Sequence, residues 1–433
     1  MAAVPQTKGP FPPERLVLLR ILMISPAYPF PPDNGAKRRI LAAASYLAQV
    51  HDMTLVSIRE SNSAIVPPSQ ELKGLWQEFF INQPSKKKLP IAIKAAFSTH
   101  SYSQFKYWNR NLLGAVGRMI STQSFDCIWV HFLFMTIYLE RFFSENSSIQ
   151  KLKRPIFLLD EHNVDELTYK NLFWNNPNLF RKIYAMLEIL KAKRLQRRWF
   201  PRFDAILCVS PEDHRRTCHY VDQSTNVWLV PNGVDIGYFQ PRARQDFPED
   251  SPVIVFGGSL DVRMNQDAVL WFSGDILPII KQKIPGMQFW IVGRDPTSEV
   301  KKLGEKPGIA VTGTVADVRD YYRQAQVFVV PLRFGGGTKL KTLEAMAMGL
   351  PIVSTGVGAQ GLDINWGREI YIADRPEDFA LRVIELLKDR DKADRMGEEA
   401  RHLVEKKYVW NRIMEDMNNK LINLYKERGN RIG

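Results

Sequence analysis

The stretch VVPLRFGGGTKLKTLEAMAMGLPIVST, residues 329–355, decides how the whole chain is read. Val329 and Val330 favour a strand and run into Pro331. Gly335, Gly336 and Gly337 come next, then a helix-prone run over residues 340–348 that Gly349 and Pro351 stop, then a second strand at Ile352 and Val353. Glycines between a strand and a helix let the backbone turn tightly and approach a ligand, and the helix start offers unpaired N–H groups to an anion. Thr338, Lys339 and Lys341 add a hydroxyl and two cations at that end. Cations there oppose the helix dipole, so stability alone does not favour them, whereas a bound anion would. The competing reading is a plain glycine turn followed by a solvated basic face.

Moving outward, the second half repeats the same alternation. A strand over 253–256 leads into Gly257, Gly258 and Ser259, and a helix is expected over 265–280. A strand over 288–292 ends in Gly293, Arg294 and Asp295. Strands at 310–312 and 327–330 enclose a helix expected over 316–325. Three glycine loops therefore fall at one edge of one sheet, which points to a nucleotide pocket more strongly than any single loop does. The tail, 407–427, reads as one long helix starting at Tyr408 and Trp410.

The first half is also strand, turn, helix, strand. RILMIS (20–25) is a buried strand, and a proline-rich loop follows it with Asn34 and Gly35 before a helix over 36–47. Further strands are expected at 51–58, 125–130, 156–160, 205–209 and 227–230. The strand at 156–160 runs directly into Glu161, His162 and Asn163, and loops at the carboxyl ends of buried strands are where a doubly wound sheet places its chemistry. His162 is singled out by that position rather than by its residue type. The turn PNGVD (231–235) closes this half, and the polar segment 240–252 reads as a linker.

At 433 residues the chain is too long for one core and should form two domains. No apolar run approaches the ~20 residues that span a bilayer. The amino terminus lacks the order of a signal peptide. Cys127, Cys208 and Cys218 form neither a disulfide framework nor a metal-ligand spacing, which fits a reducing cytoplasm. The net charge of +13 is uneven: residues 1–245 hold 32 Lys+Arg against 19 Asp+Glu, and residues 246–433 hold 27 of each. Basic residues interleave with aromatics over 86–110 and 181–202, the second run helical with Trp199 and Phe200 near its end. That pattern suits an anionic membrane surface, and equally a solvated face with core aromatics behind it.

Two doubly wound halves, the second carrying LEAMAMG, resemble the retaining GT-B glycosyltransferases, specifically glycosyltransferase family four. The likeness runs from PAYPFPPDNGAKRR through EHNVDEL, PNGVD, FGGSLDVRMNQDA, IVGRDP and the 329–355 stretch to YVWNRI. It implies an α/β fold of two Rossmann-like domains facing across a cleft. Residues 1–245 would bind the acceptor, 246–410 the nucleotide sugar, and a helix over 411–433 would cross back to the first domain. Glu344 matches the glutamate that holds the donor ribose. The partner glutamate of that pair falls at Gly336, so sugar contacts there would come from the N–H groups of Gly336, Gly337 and Thr338. The family's usual Arg and Lys fall at Ser259 and Met264, and Arg263, Arg294, Lys339 and Lys341 are left to meet the diphosphate.

What the resemblance implies is a hexosyltransferase that moves sugar with retention from a nucleotide-diphosphate sugar to a glycan or lipid-linked acceptor in cell-surface polysaccharide or glycolipid synthesis. It would use no metal and no bound cofactor, and no nucleic acid. His162, Lys339 and Lys341 would be its catalytic groups. Gly35, Gly258, Ser259, Arg263, Asn265, Arg294, Gly336, Gly337, Thr338 and Glu344 would bind the donor. It would be cytoplasmic and peripheral on the plasma membrane. An epimerase on the same scaffold needs more acid–base groups than Glu161 and His162 supply; a non-catalytic relative that only binds nucleotide sugar is the other alternative.

Overall fold

A computed structural model describes residues 17–60, 74–83, 86–143, 154–162, 169–170, 173, 178–241 and 251–430. The chain divides into two compact units, Lys8–Pro231 with Asn411–Gly433, and Asn232–Trp410.

The first unit is built on a seven-stranded sheet ordered β3-β2-β1-β4-β5-β6-β7, every pair parallel. Its strands are β1 (Arg20–Ser25), β2 (Asp52–Glu60), β3 (Gln77–Gln83), β4 (Cys127–His131), β5 (Ile156–Glu161), β6 (Ala205–Cys208) and β7 (Asn226–Leu229). β4 and β5 are buried along their whole length, because helices cover both faces of a parallel sheet. β3 was not expected. QEFFINQ has no clean alternation, and as an edge strand it is largely exposed or half-buried, so no hydrophobic period marks it.

The second unit holds a six-stranded parallel sheet, β10-β9-β8-β11-β12-β13. The strands are β8 (Val253–Gly257), β9 (Gln288–Val292), β10 (Ile309–Gly313), β11 (Val327–Val330), β12 (Ile352–Ser354) and the two-residue β13 (Tyr371–Ile372). The sequence order reverses between β8 and β11, and such a switch point opens a crevice at the carboxyl ends of the two strands.

Several expected boundaries move. The helix read over 265–280 begins at Arg263 and runs to Trp271, passes through a π turn at Phe272–Ile276, and resumes as Leu277–Lys283. Pro278 lacks the N–H that regular winding would use, and the wider turn absorbs the fault. The helix read over 316–325 shrinks to Arg319–Tyr322. The tail is not one helix from residue 407: Arg390–Lys407 ends there, and Trp410–Asn430 starts after a break. At the break Val409 bridges Val234, and the Val234 N–H donates to the Tyr408 carbonyl at 2.8 Å. That pairing, with Phe239 in the second core, puts the unit boundary inside PNGVD, ahead of the segment read as a linker, whose residues 242–250 lie outside the described ones.

From Asn411 the last helix belongs to the first unit. Tyr425 donates to Asp126 at 3.1 Å, and Arg428 to the Pro155 carbonyl and Asp204, each at 3.2 Å. Buried His51 holds the same helix. Its Nδ1 accepts the Leu19 N–H at 3.3 Å, so its proton lies on Nε2 and is donated to Asn418 Oδ1 at 2.7 Å. Burial pushes the His51 pKa below its ordinary value, against the opposing pull of Asn418 and Asp126. A base whose folded pKa is depressed binds fewer protons folded than unfolded, so its contribution is complete above pH ~6.5 and declines as the pH falls toward the folded value. Stability should therefore fall between pH 7 and 5, with a smaller slope in His51→Gln, as read from urea unfolding midpoints across that range.

Candidate functional site

In the second unit, β8 and β9 hand their chains into loops tied by the backbone. The Gly258 N–H donates to the Val292 carbonyl at 3.0 Å and the Leu260 N–H to the Arg294 carbonyl at 2.8 Å. The approach is close enough that a Cβ on Gly293 would lie 1.8 Å from the Gly258 oxygen. Gly258 itself has φ +150°, and a Cβ there would sit 2.6 Å from Lys341 Nζ and 3.1 Å from Asn265 Nδ2. Lys341 thus comes from the helix Leu340–Ala347 after β11 to stand against the loop after β8.

Asn265 fixes that meeting. Its amide nitrogen donates to the Ser259 carbonyl at 2.7 Å, and its oxygen accepts from Lys341 Nζ at 2.6 Å. The ammonium also lies 4.1 Å from the centre of the Phe256 ring. Burial, with Lys339 second, depresses the Lys341 pKa well below the ordinary lysine value. A cation so placed is costly until an anion joins it. Arg294 Nε donates to Ser259 Oγ at 3.0 Å, and Ser259 Oγ donates to Asp261 at 2.7 Å.

The third loop, 331–339, is tethered by Lys339, which folds back to donate to the carbonyls of Gly336 and Gly337. Gly335 (φ +132°) and Gly337 (φ +67°) hold left-handed backbone that side chains resist. A Cβ on Gly335 would meet Met264 Sδ at 2.8 Å and Lys339 Nζ at 3.2 Å. Thr338 and Glu344 are buried beside this loop and one turn into the helix that follows it. The helix Leu340–Ala347 has no acidic residue in its first turn and no side-chain cap, and the Thr342 N–H turns back to the Lys339 carbonyl at 3.0 Å. Of the expected donor residues, contacts join Gly258, Ser259, Asn265, Arg294 and Lys341, and a second group joins Gly336, Gly337 and Lys339. Arg263 is exposed at the start of its helix. Sequence reading placed Asn265 among the donor-binding residues, but nothing in FGGSLDVRMNQDA shows that its amide joins the loop after β8 to Lys341.

Gly35 and His162 belong to the first unit. Gly35 opens the helix Gly35–Val50, capped by the Asn34 side chain on the Lys37 N–H. His162 follows β5 in a fully buried cluster. His131 Nδ1 lies 2.9 Å from His162 Nε2 and 3.3 Å from Asp160 Oδ2, and His162 Nε2 is 3.6 Å from that oxygen. Arg39 Nε donates to both Asp160 oxygens, at 2.9 and 3.0 Å, and Nη1 to the Pro231 carbonyl at 3.2 Å. Burial works against the Asp160 charge, but Arg39 and then the histidines hold its pKa far below the carboxylate range. Burial holds the His162 pKa well below the ordinary histidine value, with Asp160 opposing. Phe132, at φ +69°, lays its ring 4.1 Å from the His162 ring centre, and its N–H donates to the Asp160 carbonyl at 2.9 Å. His131, Asp160 and His162 are the one group among the described residues with three metal-ligand atoms close together, within 4.8 Å. Sequence reading found His162 and missed His131, Asp160 and Arg39. Asn163 lies outside the described residues.

The basic aromatic runs also divide. Trp199 and Phe200, read as either interfacial or core aromatics, are core residues. Lys86 is structural: it donates to the carbonyls of Phe105 (3.0 Å) and Trp108 (2.6 Å). Among the described residues no helix is long and apolar enough to cross a membrane. A cavity of about 310 Å³ at the amino-terminal edge of the first sheet, lined by Phe125, Pro155, Tyr425 and others, lies away from the carboxyl-end loops.

Residues 251–389, which carry all three glycine loops, match the family model of the Glycosyl transferases group 1. Over that segment the chain is similar to the group 1 glycosyltransferases. It is 22% identical over 391 residues to an uncharacterized 44.6 kDa protein in the cps region of Klebsiella pneumoniae, covering 86% of this chain and 92% of that one. It is 28% identical over 252 residues to a GDP-mannose-dependent alpha-(1-6)-phosphatidylinositol monomannoside mannosyltransferase of Mycobacterium tuberculosis, 53% of this chain and 64% of the relative. In fold it is similar to Anabaena HepE, solved in complex with UDP-glucose, with a TM-score of 0.60 at 14% identity over 94% of this chain and 100% of that one. The chain therefore has the GT-B class of fold, two Rossmann-like units.

The close passage of the two loops gives a direct check. Gly293→Ala should lower stability by about 1–3 kcal/mol, the usual cost of overpacking. Gly117→Ala, where an added Cβ meets nothing within 4 Å, should leave it unchanged or slightly higher. Paired thermal melts test both.

Proposed function

We propose that this glycosyltransferase binds a nucleotide-diphosphate sugar in the Asn232–Trp410 unit and transfers the hexosyl group, with retention, to a glycan or lipid-linked acceptor. The observation that carries the reading is Lys341: a half-buried cation held against Gly258 by Asn265, near Arg294 at Ser259. A diphosphate leaving group gains negative charge as its bond to C1 breaks. Groups fixed in advance around that charge stabilise the transition state more than the ground state. Lys341, Arg294 and Arg263 are assigned to that charge in place of a divalent ion. Glu344 is assigned to the ribose hydroxyls, the Gly336–Thr338 segment to the transferred sugar, and His162, in the first unit, to a sugar oxygen of the substrate which that unit binds. The mannosyltransferase relative and the UDP-glucose complex of HepE support a nucleotide sugar as donor.

Lys341→Met should lower kcat by about 10²–10³-fold, the range for loss of one fixed charge-stabilising donor. Donor affinity should fall less, and transfer by the unaltered enzyme should persist in EDTA. Steady-state assays over a panel of UDP-, GDP-, ADP- and dTDP-sugars measure this; undiminished turnover in the variant would end the reading.

A peripheral membrane attachment is proposed through exposed side chains of the two basic aromatic runs. The helix Leu179–Trp199 exposes Phe180 (82%), Ile183, Met186 and Leu190 among Arg181, Arg194 and Arg197. Beside it, the helix Lys88–Ala96 leads to Phe97, 91% exposed; Lys191 donates to the Ala95 carbonyl and joins the two. Apolar side chains ringed by cations fit an anionic lipid surface. Flotation with phosphatidylserine-containing vesicles should show salt-sensitive binding that Phe180→Ser with Ile183→Ser removes. Equal binding by the double variant would refute the assignment.

A further inference from the structure

The buried cluster around His162 does more than bury charge. Both nitrogens of a neutral imidazole cannot donate, so the position of one proton in His131 decides the roles of its neighbours. His131 Nε2 is buried and has no hydrogen-bond partner, so a proton there would be a stranded donor, costlier than a stranded lone pair. Its Nδ1 instead faces two acceptors, His162 Nε2 at 2.9 Å and Asp160 Oδ2 at 3.3 Å. The proton therefore sits on His131 Nδ1 and is shared between them. Asp160 cannot take it, because Arg39 engages both carboxylate oxygens and favours the ionised form. Trp129 stacks on the His131 ring (5.7 Å, 19°), and the tilted Phe132 ring packs 4.1 Å from that of His162, which crowds both imidazoles.

His162 Nε2 is then an acceptor, and a neutral His162 must carry its proton on Nδ1. Among the described residues, Nδ1 makes no hydrogen bond. We propose that His131, backed by an Asp160 that Arg39 holds in place, locks His162 with its proton on Nδ1, so that the ring presents only a hydrogen-bond donor to an oxygen of a sugar bound to the first unit. His131 is in this sense a positioning residue, and the proposal rests on the sugar-facing role given to His162 above. The locked ring orients an acceptor oxygen of the substrate and does not take a proton from it on that side. The same three side chains have the spacing of a cation site, but Arg39 already supplies the positive charge that Asp160 would give a metal.

The tautomer is read directly by nitrogen-15 NMR of the full chain labelled at histidine, with His162→Ala assigning the signal. A protonated Nδ1 and an unprotonated Nε2 in His162 are expected; the reverse would overturn the proposal without any core variant. His131→Asn keeps a donor near the Nδ1 position, whereas His131→Phe removes it. We expect the Phe variant to lower kcat by more than about tenfold with little change in donor KM, as loss of a tautomer lock does, and to mix the His162 tautomers. The Asn variant should restore both. An unchanged His162 spectrum in His131→Phe would overturn the lock. So would one equivalent of zinc retained after dialysis of zinc-treated enzyme, with both histidines deprotonated at the shared nitrogens. If His162→Ala leaves turnover intact, the sugar-positioning role fails, and the tautomer readout still decides the lock by itself.

Discussion

The passage of Gly293 beneath the Gly258 carbonyl is the constraint on which the second unit depends. Two chains leaving neighbouring parallel strands can lie this close only if one of them has no side chain. Once they do, the hydrogen bonds Gly258–Val292 and Leu260–Arg294 fix both loops. Arg294 is then brought to Ser259, and the flat surface left at Gly258 admits the Lys341 ammonium. Asn265 closes the arrangement by bonding to one loop with its nitrogen and to the lysine with its oxygen. The site is thus assembled from rigid strand ends and backbone amides, which suits electrostatic stabilisation because little reorganisation is needed when charge develops.

The two units treat buried charge in opposite ways. In the first, Arg39 and Asp160 satisfy one another through a two-pronged contact, and two histidines complete the shell. Such a pair is held by geometry, and breaking one partner would leave the other uncompensated. In the second, Lys341 has an amide oxygen and an aromatic ring as neighbours, and burial depresses its pKa. The first arrangement sets a direction for a hydrogen bond. The second leaves a cation with no carboxylate partner among the described residues. Both lie at the carboxyl ends of parallel strands, where exposed loop backbone and helix starts meet.

Much of this was legible in the chain itself. The buried strands read as short apolar runs because helices cover both faces of each sheet, and glycine loops mark where strand turns into helix. Those signals are local, and they located the loops at Gly257, Gly293 and Gly335 and the helix that carries Lys341 and Glu344. Edge strand β3 escaped because an exposed edge has no apolar period to display, and the breaks at Phe272 and Tyr408 escaped because helix propensity continues through them.

What the sequence determined by itself was the alternation of strand and helix, the two-fold repetition of that pattern, and the candidate residues on the second-unit loops, since each depends on neighbours within a few positions. Only the tertiary structure decided which of those residues meet. Asn265 and Lys341 are 76 positions apart, Arg39 and Asp160 are 121 apart, and His131 and His162 are 31 apart. Their pairing follows from parallel strand register and from which loops can approach, and neither quantity is written in any local run of side chains.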